Sequence, residues 1–167
     1  MIQPVSRVRG QEFAMDVNIL VVSHAVAFAQ LSSARQILHR ISKLYADVYR
    51  LDEDKIFEGL EQREALGTTG FGRGVAIPHC RSADVRRPTM AVLRLTEPAD
   101  FRSVDAVPVS LVFGLVSPEN AGATHLHALA AVSRMIRDEA MLDALLDAPD
   151  PDALFGVLTN QFLRDAA

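Results

Sequence analysis

The sequence has little cysteine, no excess of positive charge and no long apolar run, and each absence excludes a class of protein. Its one cysteine, Cys80, cannot form an intrachain disulfide or a multi-cysteine zinc site. Lys and Arg number 17 against 21 Asp and Glu, giving a net charge of −4, so generic binding to nucleic acid or to an anionic membrane is not expected. Apolar runs such as residues 19–22 and 111–116 are far shorter than the ~20 residues of a membrane span. We therefore expect a cytoplasmic protein with no direct membrane insertion.

The length and composition predict one folded domain. The chain has 167 residues, of which 49% are hydrophobic and 23% charged, the range of ordinary globular proteins. Residues 1–14 show no helical or strand period and no secretory signal, so we interpret them as a flexible N-terminal extension, with Met15 as a possible alternative start. The domain is then predicted over residues 15–167.

Apolar spacing and capping residues predict a pair of helices in the first half. Residues 32–50 have the period of an amphipathic helix, with Ser32 or Ser33 as its N-cap. A second helix is predicted to begin at Asp52 and to stop at Gly67.

Strands and further helices follow. Proline-bounded β-rich runs predict two strands, and the second is apolar on both faces, as in a central strand. The elements predict an α/β fold with a mixed sheet of about five strands sandwiched by helices. The predicted segments are strands at 89–95 and 109–116, one edge strand from 19–22 and 25–28, and helices after Asn120, over 138–147, and after Asp150 and Pro151.

Glycine is concentrated in one loop. Four of the nine glycines lie between residues 67 and 74, which is typical either of a loop whose amides cradle an anion or of a tight connection from helix to strand. Arg73 and Gly74 stand where a P-loop needs Lys and Ser or Thr, and the dinucleotide fingerprint also fails, so we expect no cofactor. The anion interpretation assigns phosphate contacts to Thr68, Thr69, Gly70, Gly72 and Gly74.

His79 is the strongest candidate for chemistry. Pro78 restricts the backbone before it, so the imidazole sits at the end of a rigid strand beside the glycine-rich loop. A neutral imidazole can attack phosphorus with one ring nitrogen while the other is held by a hydrogen bond. Arg63 in the last turn of the second helix can supply donors to the phosphoryl oxygens. The alternative is a turn histidine that bonds only to backbone.

Two more histidines lie in the run Thr124-His125-Leu-His127. Helical spacing makes residues two apart diverge, so we expect no metal site. If Thr124 or a neighbour caps the helix, His125 lies in the first turn, where the dipole favours a neutral ring that donates to a phosphoryl group. The alternative is a partly exposed surface histidine. We interpret His127, His39 and His24 as surface or structural residues.

A Cys80 and His79 nucleophile pair is not favoured. Neighbouring strand residues point to opposite faces, so the two side chains should not meet. A hydrolase would also need an orienting acid and an oxyanion hole, for which the sequence shows no candidates.

The run from Arg63 to His79 resembles the active-site block of the enzyme IIA components of the fructose and mannitol class of the bacterial phosphoenolpyruvate-dependent sugar phosphotransferase system. Downstream blocks at residues 97–101, 105–113 and 124–127 are similar in the same order. The resemblance covers roughly residues 16–160 and is most specific for the nitrogen-regulatory branch. Cys80 departs from the glycine that is common after the histidine.

The resemblance implies a phosphotransferase role. His79 would accept a phosphoryl group from the phosphocarrier protein HPr or its nitrogen-branch paralogue, with His125 and Arg63 in the same site, and the protein would regulate partners by its phosphorylation state. Two alternatives stay open: a IIA component of sugar uptake that passes the group to a IIB component, and a non-catalytic docking module.

Overall fold

The structure is a computed structural model that describes residues 12–14 and 18–165. Within these residues the chain forms five α-helices and one eight-stranded sheet. In chain order the elements are β1 (Glu12–Ala14), β2 (Leu20–Val22), a 3-10 turn (Ser23–Ala25), β3 (Val26–Ala29), α1 (Ala34–Tyr49), α2 (Glu53–Ala65), β4 (Gly70–Gly72), β5 (Val75–Ala76), β6 (His79–Ser82), β7 (Thr89–Ala99), β8 (Val109–Pro118), α3 (Ala123–Arg137), α4 (Glu139–Asp147) and α5 (Pro151–Asp165).

The first two helices begin and end at the predicted signals. The Ser33 hydroxyl accepts a hydrogen bond from the Gln36 amide at 3.2 Å, and the Asp52 carboxylate accepts from the Lys55 amide at 3.0 Å. Gly67 follows α2 with a positive φ of 152°, as a residue beyond a helix end often does. The longest helix has 16 residues, and no helix in the described part of the chain is long and apolar enough to cross a membrane.

Two later helices also begin at acidic caps. Asp138 accepts from the Met141 amide at 3.1 Å at the start of α4. Asp150 accepts from the Ala153 amide at 2.8 Å, directly before the proline that opens α5. These local bonds explain why the predicted starts of both helices are confirmed.

The sheet is mixed and wider than predicted. Strands β7 and β8 form its antiparallel centre; β2 and β3 pair in parallel with β7, and β5 and β6 pair in parallel with β8. The outer strands β1 and β4 are antiparallel to β2 and β5. The prediction of about five strands was too low, because the 3-10 turn Ser23–Ala25 divides one extended segment and Pro78 divides another. Both halves of each segment still lie beside the same central strand.

Helices cover the sheet on both faces. One core lies beneath α1 and α2 and includes Ile41 and Tyr45, while the other lies beneath α3, α4 and α5 and includes Val132 and Leu154. Apart from Ser110 and Pro118, every residue of β8 is buried, which confirms the prediction of a central strand covered on both sides.

The predicted N-terminal extension lies mostly outside the described residues. Its last three residues, Glu12–Ala14, pair with β2 in antiparallel register. No strand period is visible there, so the pairing comes from the free edge that β2 offers.

Candidate active site

His79 is the first residue of β6, directly after Pro78, and its neighbour Cys80 points to the opposite face of the sheet. Cys80 belongs to the core beneath α1 and α2, where Gly59 of α2 lies against it. Burial raises the pKa of the Cys80 thiol to about 12, so the thiol stays protonated at neutral pH. This confirms that the two residues do not form a nucleophile pair.

The hydrogen bonds of His79 define its tautomer. Nδ1 lies 2.8 Å from the carbonyl oxygen of Ile77, which can only accept, so Nδ1 carries the hydrogen. The Nε–H of Arg63 donates to Nε2 at 3.2 Å, so Nε2 carries a lone pair. The ring is therefore held neutral, with its nucleophilic nitrogen facing the guanidinium.

Burial lowers the pKa of His79 below its ordinary value of 6.5. The Ile77 carbonyl opposes this by stabilising the protonated form, Arg63 lowers the pKa further by charge repulsion, and Glu64 raises it. The net direction is downward, so the unprotonated Nε2 predominates at pH 7.

Arg63 reaches the histidine from the last turn of α2. Its Nη1 donates to the carbonyl oxygen of Gly67 at 2.9 Å while its Nε donates to His79. A guanidinium has five N–H donors, so several remain for a bound anion. The structure thus brings together two residues that the sequence separates by one helix end and one hairpin.

His125 completes a three-residue cluster. It lies in the first turn of α3, is only 6% exposed, and its ring centroid is 5.4 Å from that of His79, with the planes tilted by 47°. Of the cap candidates left open, Thr124 lies inside the helix and its near neighbour Gly122 is the N-cap, so His125 lies in the first turn as predicted. The alternative of a partly exposed surface histidine is wrong, because the residue is buried and its ring contacts Ser117 near the end of β8.

His125 is held neutral by its surroundings. Its Nδ1 lies 2.6 Å from the hydroxyl oxygen of Ser117 on β8. Burial lowers the pKa of His125 to about 4, and the nearby His79 and Arg81 act in the same direction. His127, two residues later on α3, is exposed, so the two histidines diverge as the helical period predicts.

The threonines of the glycine-rich loop bond within the chain. The Thr68 hydroxyl donates to the carbonyl oxygen of Phe101 at 2.7 Å and accepts from the Gly70 amide at 3.0 Å. The Thr69 amide donates to the Glu64 carboxylate at 3.0 Å, and its hydroxyl donates to the same carboxylate. These contacts join the loop to the end of α2.

The glycines serve the hairpin between β4 and β5. Gly72, Arg73 and Gly74 have φ of 103°, 60° and 80°, the left-handed region that a tight turn requires. The Arg73 amide donates to Asp105 at 2.8 Å, and the Arg73 guanidinium donates to the carbonyl oxygens at the end of α3 and to Glu139. These contacts are those of a tight connection, and the assignment of phosphate contacts to this loop stays a prediction.

Three groups of this site were not predicted from the sequence. They are the carbonyl of Ile77, the carboxylate of Glu64 and the hydroxyl of Ser117. The only signal for Ser117 is a small polar residue near the end of an otherwise apolar strand. Nothing in the local pattern connects that residue to a histidine on the next helix.

Comparison with known proteins identifies the family. Residues 20–161 match the family model "Phosphoenolpyruvate-dependent sugar phosphotransferase system, EIIA 2". The chain belongs to this family. This EIIA is 40% identical over 145 residues to a nitrogen regulatory protein of Bradyrhizobium diazoefficiens, covering 86% of this chain and 95% of the relative. It is 36% identical over 118 residues to a fructose-specific EIIA component of Haloferax volcanii, covering 70% of this chain and 77% of the relative.

A solved structure agrees with the fold. The nitrogen regulatory protein IIA-Ntr from Neisseria meningitidis superposes with a TM-score of 0.74 at 35% identity, covering 82% of this chain and 94% of that structure. The predicted resemblance and fold class are confirmed, with a wider sheet. Membership of the family gives this EIIA the role of a phosphoryl carrier in a phosphotransferase system.

Proposed function

We propose that this EIIA accepts a phosphoryl group on Nε2 of His79 and regulates partner proteins by its phosphorylation state. The observation that carries the proposal is the ring geometry of His79, whose Nδ1–H is bonded to Ile77 and whose Nε2 lone pair faces Arg63, with the ring centroid of His125 5.4 Å from its own. The donor is phosphorylated HPr or its nitrogen-branch paralogue.

The transfer is a displacement at phosphorus. The Nε2 lone pair forms the new P–N bond, the P–N bond of the donor phosphohistidine breaks, and the electron pair of that bond returns to the donor nitrogen. Nδ1–H stays bonded to the Ile77 carbonyl, which stabilises the positive charge that the ring acquires. Because Arg63 occupies the attack position, its Nε–H must leave Nε2 and can then donate to the phosphoryl oxygens.

His125 supports the same step as a neutral donor. A buried neutral imidazole can donate to a phosphoryl oxygen without adding a desolvated charge to the free protein. Glycine-loop contacts to phosphate, through Thr68, Thr69, Gly70, Gly72 or Gly74, would require the loop to exchange some of its present hydrogen bonds. For that reason we assign the main phosphoryl contacts to Arg63 and His125.

Two exposed apolar side chains beside the site favour the binding of a partner protein. Leu66 is 85% exposed at the end of the helix that carries Arg63, and Leu126 is 63% exposed beside His125. A donor or acceptor protein that covers these side chains would remove apolar surface from water next to the phosphoryl site. Phosphorylation would then place negative charge within that interface and change its affinity.

The regulatory role is favoured over sugar uptake. The nitrogen regulatory relative is more similar and is matched over nearly its whole length, whereas the fructose-specific relative is matched over less of both chains. In the alternative, the group on His79 passes to a IIB component. A docking module without transfer would leave the nucleophilic arrangement of His79 without a use.

The test is phosphorylation with phosphoenolpyruvate and the general phosphotransfer proteins, followed by site mapping. We expect one acid-labile, alkali-stable phosphoryl group on His79, none in His79→Ala, and full labelling in the control His127→Ala, which removes an exposed histidine from α3. Labelling of His79→Ala to the wild-type level would reject the proposal. Affinity capture with phosphorylated protein and with His79→Ala should recover different partners; transfer to a IIB component instead would favour the uptake alternative.

A further inference from the structure

The hydroxyl of Ser117 is the one described partner of His125, and the direction of this hydrogen bond decides which ring nitrogen of His125 carries a hydrogen. Ser117 is fully buried, and its Oγ lies 2.6 Å from Nδ1. At this distance one of the two atoms donates to the other. We infer that Ser117 donates to Nδ1 and thereby holds His125 with its hydrogen on Nε2, making Ser117 a positioning residue for phosphoryl transfer. This inference rests on the proposed function of His79.

Only one direction of this hydrogen bond satisfies the buried hydroxyl of Ser117. If Nδ1–H donated to Ser117, the hydroxyl hydrogen would need a second acceptor inside the protein. Among the hydrogen bonds of the described residues, His125 is the only partner of the Ser117 hydroxyl. A buried hydroxyl hydrogen without an acceptor is costly. Donation from Ser117 to Nδ1 satisfies both groups and leaves Nε2–H.

The register of β6 and β8 places Ser117 on the same face of the sheet as His79. His79 lies opposite Leu115 and Arg81 lies opposite Ser117 in the parallel register of β6 and β8. Side chains two residues apart on a strand share a face, so Ser117 and the His79 ring lie on the same side of the sheet. The short turn after β8 reverses the chain, so that the first turn of α3 places His125 against Ser117. The Ser117 hydroxyl therefore holds the ring from the sheet side.

The two histidines take complementary tautomers. His79 is the Nδ1–H tautomer with a lone pair on Nε2, and the inferred form of His125 is the opposite one, with a lone pair on Nδ1 and a hydrogen on Nε2. One ring is then a nucleophile and the other a donor. With Nδ1–H instead, His125 would present a lone pair at Nε2 and repel phosphoryl oxygens.

The groups around His125 keep the ring neutral in either tautomer. Its neighbours are the neutral His79 ring, Ser117 and the cationic Arg81, and no carboxylate is a described partner that would stabilise an imidazolium. The ring is therefore neutral, and the hydrogen bond with Ser117 selects between its two neutral tautomers.

The direct measurement is the ring-nitrogen NMR spectrum of the full chain labelled with 15N-histidine. At pH 7 we expect Nε2 of His125 to carry the hydrogen and Nδ1 to be unprotonated in the wild type, with a mixture of tautomers in Ser117→Ala. The matched control is Ser42→Ala, which removes another fully buried hydroxyl, one that donates to Leu38 inside α1. A wild-type His125 with its hydrogen on Nδ1, or a tautomer unchanged in a folded Ser117→Ala, would overturn the inference.

Transfer kinetics separate positioning from stability. Ser117→Ala should slow phosphoryl transfer to His79 by roughly 10-fold to 100-fold, the range seen when a metal-bound histidine loses its orienting partner, and Ser117→Thr should recover most of the rate. In a His125→Ala background, Ser117→Ala should cost no further rate, because it acts through the ring. An equal loss in both backgrounds would reject the positioning role. If the tautomer is as inferred but His79 is never phosphorylated, the proposed function fails and the hydrogen-bond assignment stands.

Discussion

The ring centroids of His79 and His125 lie 5.4 Å apart, although His79 is the first residue of a strand and His125 lies in the first turn of a helix. Parallel pairing of β6 with β8 and the turn into α3 bring them together. Both rings have lowered pKa values, so the site holds two neutral imidazoles beside the guanidinium of Arg63. The proposed phosphoryl transfer rests on this cluster of two neutral rings and one guanidinium.

Replacing His125 should slow transfer without abolishing it. We expect His125→Ala to reduce the rate of phosphoryl transfer to His79 by roughly 10²–10³, the cost of removing a donor aimed at developing charge. Rapid-quench measurement with a phosphorylated donor protein gives the rate, and His127→Ala serves as the control. A wild-type rate in His125→Ala would place that ring outside the reaction.

Replacing Arg63 should change both the rate and the titration of His79. The guanidinium lowers the pKa of His79, so Arg63→Ala should raise that pKa, which NMR titration of the ring can follow. The same variant should receive and pass on the phosphoryl group more slowly, because the oxygens lose a charged donor. The control is Arg134→Ala, which removes an exposed arginine from α3. An unchanged pKa would contradict the contact between Arg63 and His79.

The lowered pKa of His125 predicts a specific pH dependence of stability. Folded His125 binds a proton only near pH 4, whereas the unfolded chain binds it near 6.5. Between these values the unfolded state holds more protons, so this contribution is fully present above about pH 6.5 and is lost as the pH falls towards 4. Urea unfolding across this range should show a steeper loss in the wild type than in His125→Ala. If the free energy of unfolding fell equally with pH in both proteins, the His125 ring would not be held neutral in the folded state.

The exposed leucines beside the site should affect the rate of transfer from a donor protein, because that protein covers them when it binds. Leu66→Asp and Leu126→Asp should slow transfer from a phosphorylated donor protein, because a charge replaces apolar surface that the donor covers. Ala140→Asp adds the same charge at an exposed position in the first turn of α4, beyond the end of α3 that lies away from His125. Rates equally reduced in all three variants would indicate an effect of net charge rather than docking.

Two glycine substitutions should have opposite effects on stability. A Cβ at Gly70 would lie 2.3 Å from the Ser103 hydroxyl and 3.0 Å from its Cα, so Gly70→Ala should destabilise the fold by about 1–3 kcal/mol. Gly156 lies inside α5 with open space around it, so Gly156→Ala should stabilise by up to about 1 kcal/mol. Thermal unfolding measures both. A neutral Gly70→Ala would mean that the hairpin tolerates a shift of Ser103.

Much of the fold is determined by short-range signals in the sequence. Four helix caps each accept a hydrogen bond from the amide three residues later, and they are Ser33, Asp52, Asp138 and Asp150. The starts of these helices can therefore be predicted from the local sequence alone. The apolar run of β8 likewise predicts a strand buried on both faces. His79 stands out because Pro78 and the glycines surround it in the chain itself.

The contacts that make the site depend on the tertiary structure. The bond from Arg63 to His79 depends on how α2 packs beside β6, and the contact of Ser117 with His125 depends on the register of β8 and the return of α3. The sequence of the glycine-rich loop is compatible with an anion-binding loop or with a tight hairpin. In the folded chain, the carboxylates of Glu64 and Asp105 accept hydrogen bonds from two of its amides. Residue type and spacing determined which groups are available for chemistry. Strand register and helix packing decided which of them meet, because hydrogen bonds between distant segments are set only when those segments assemble.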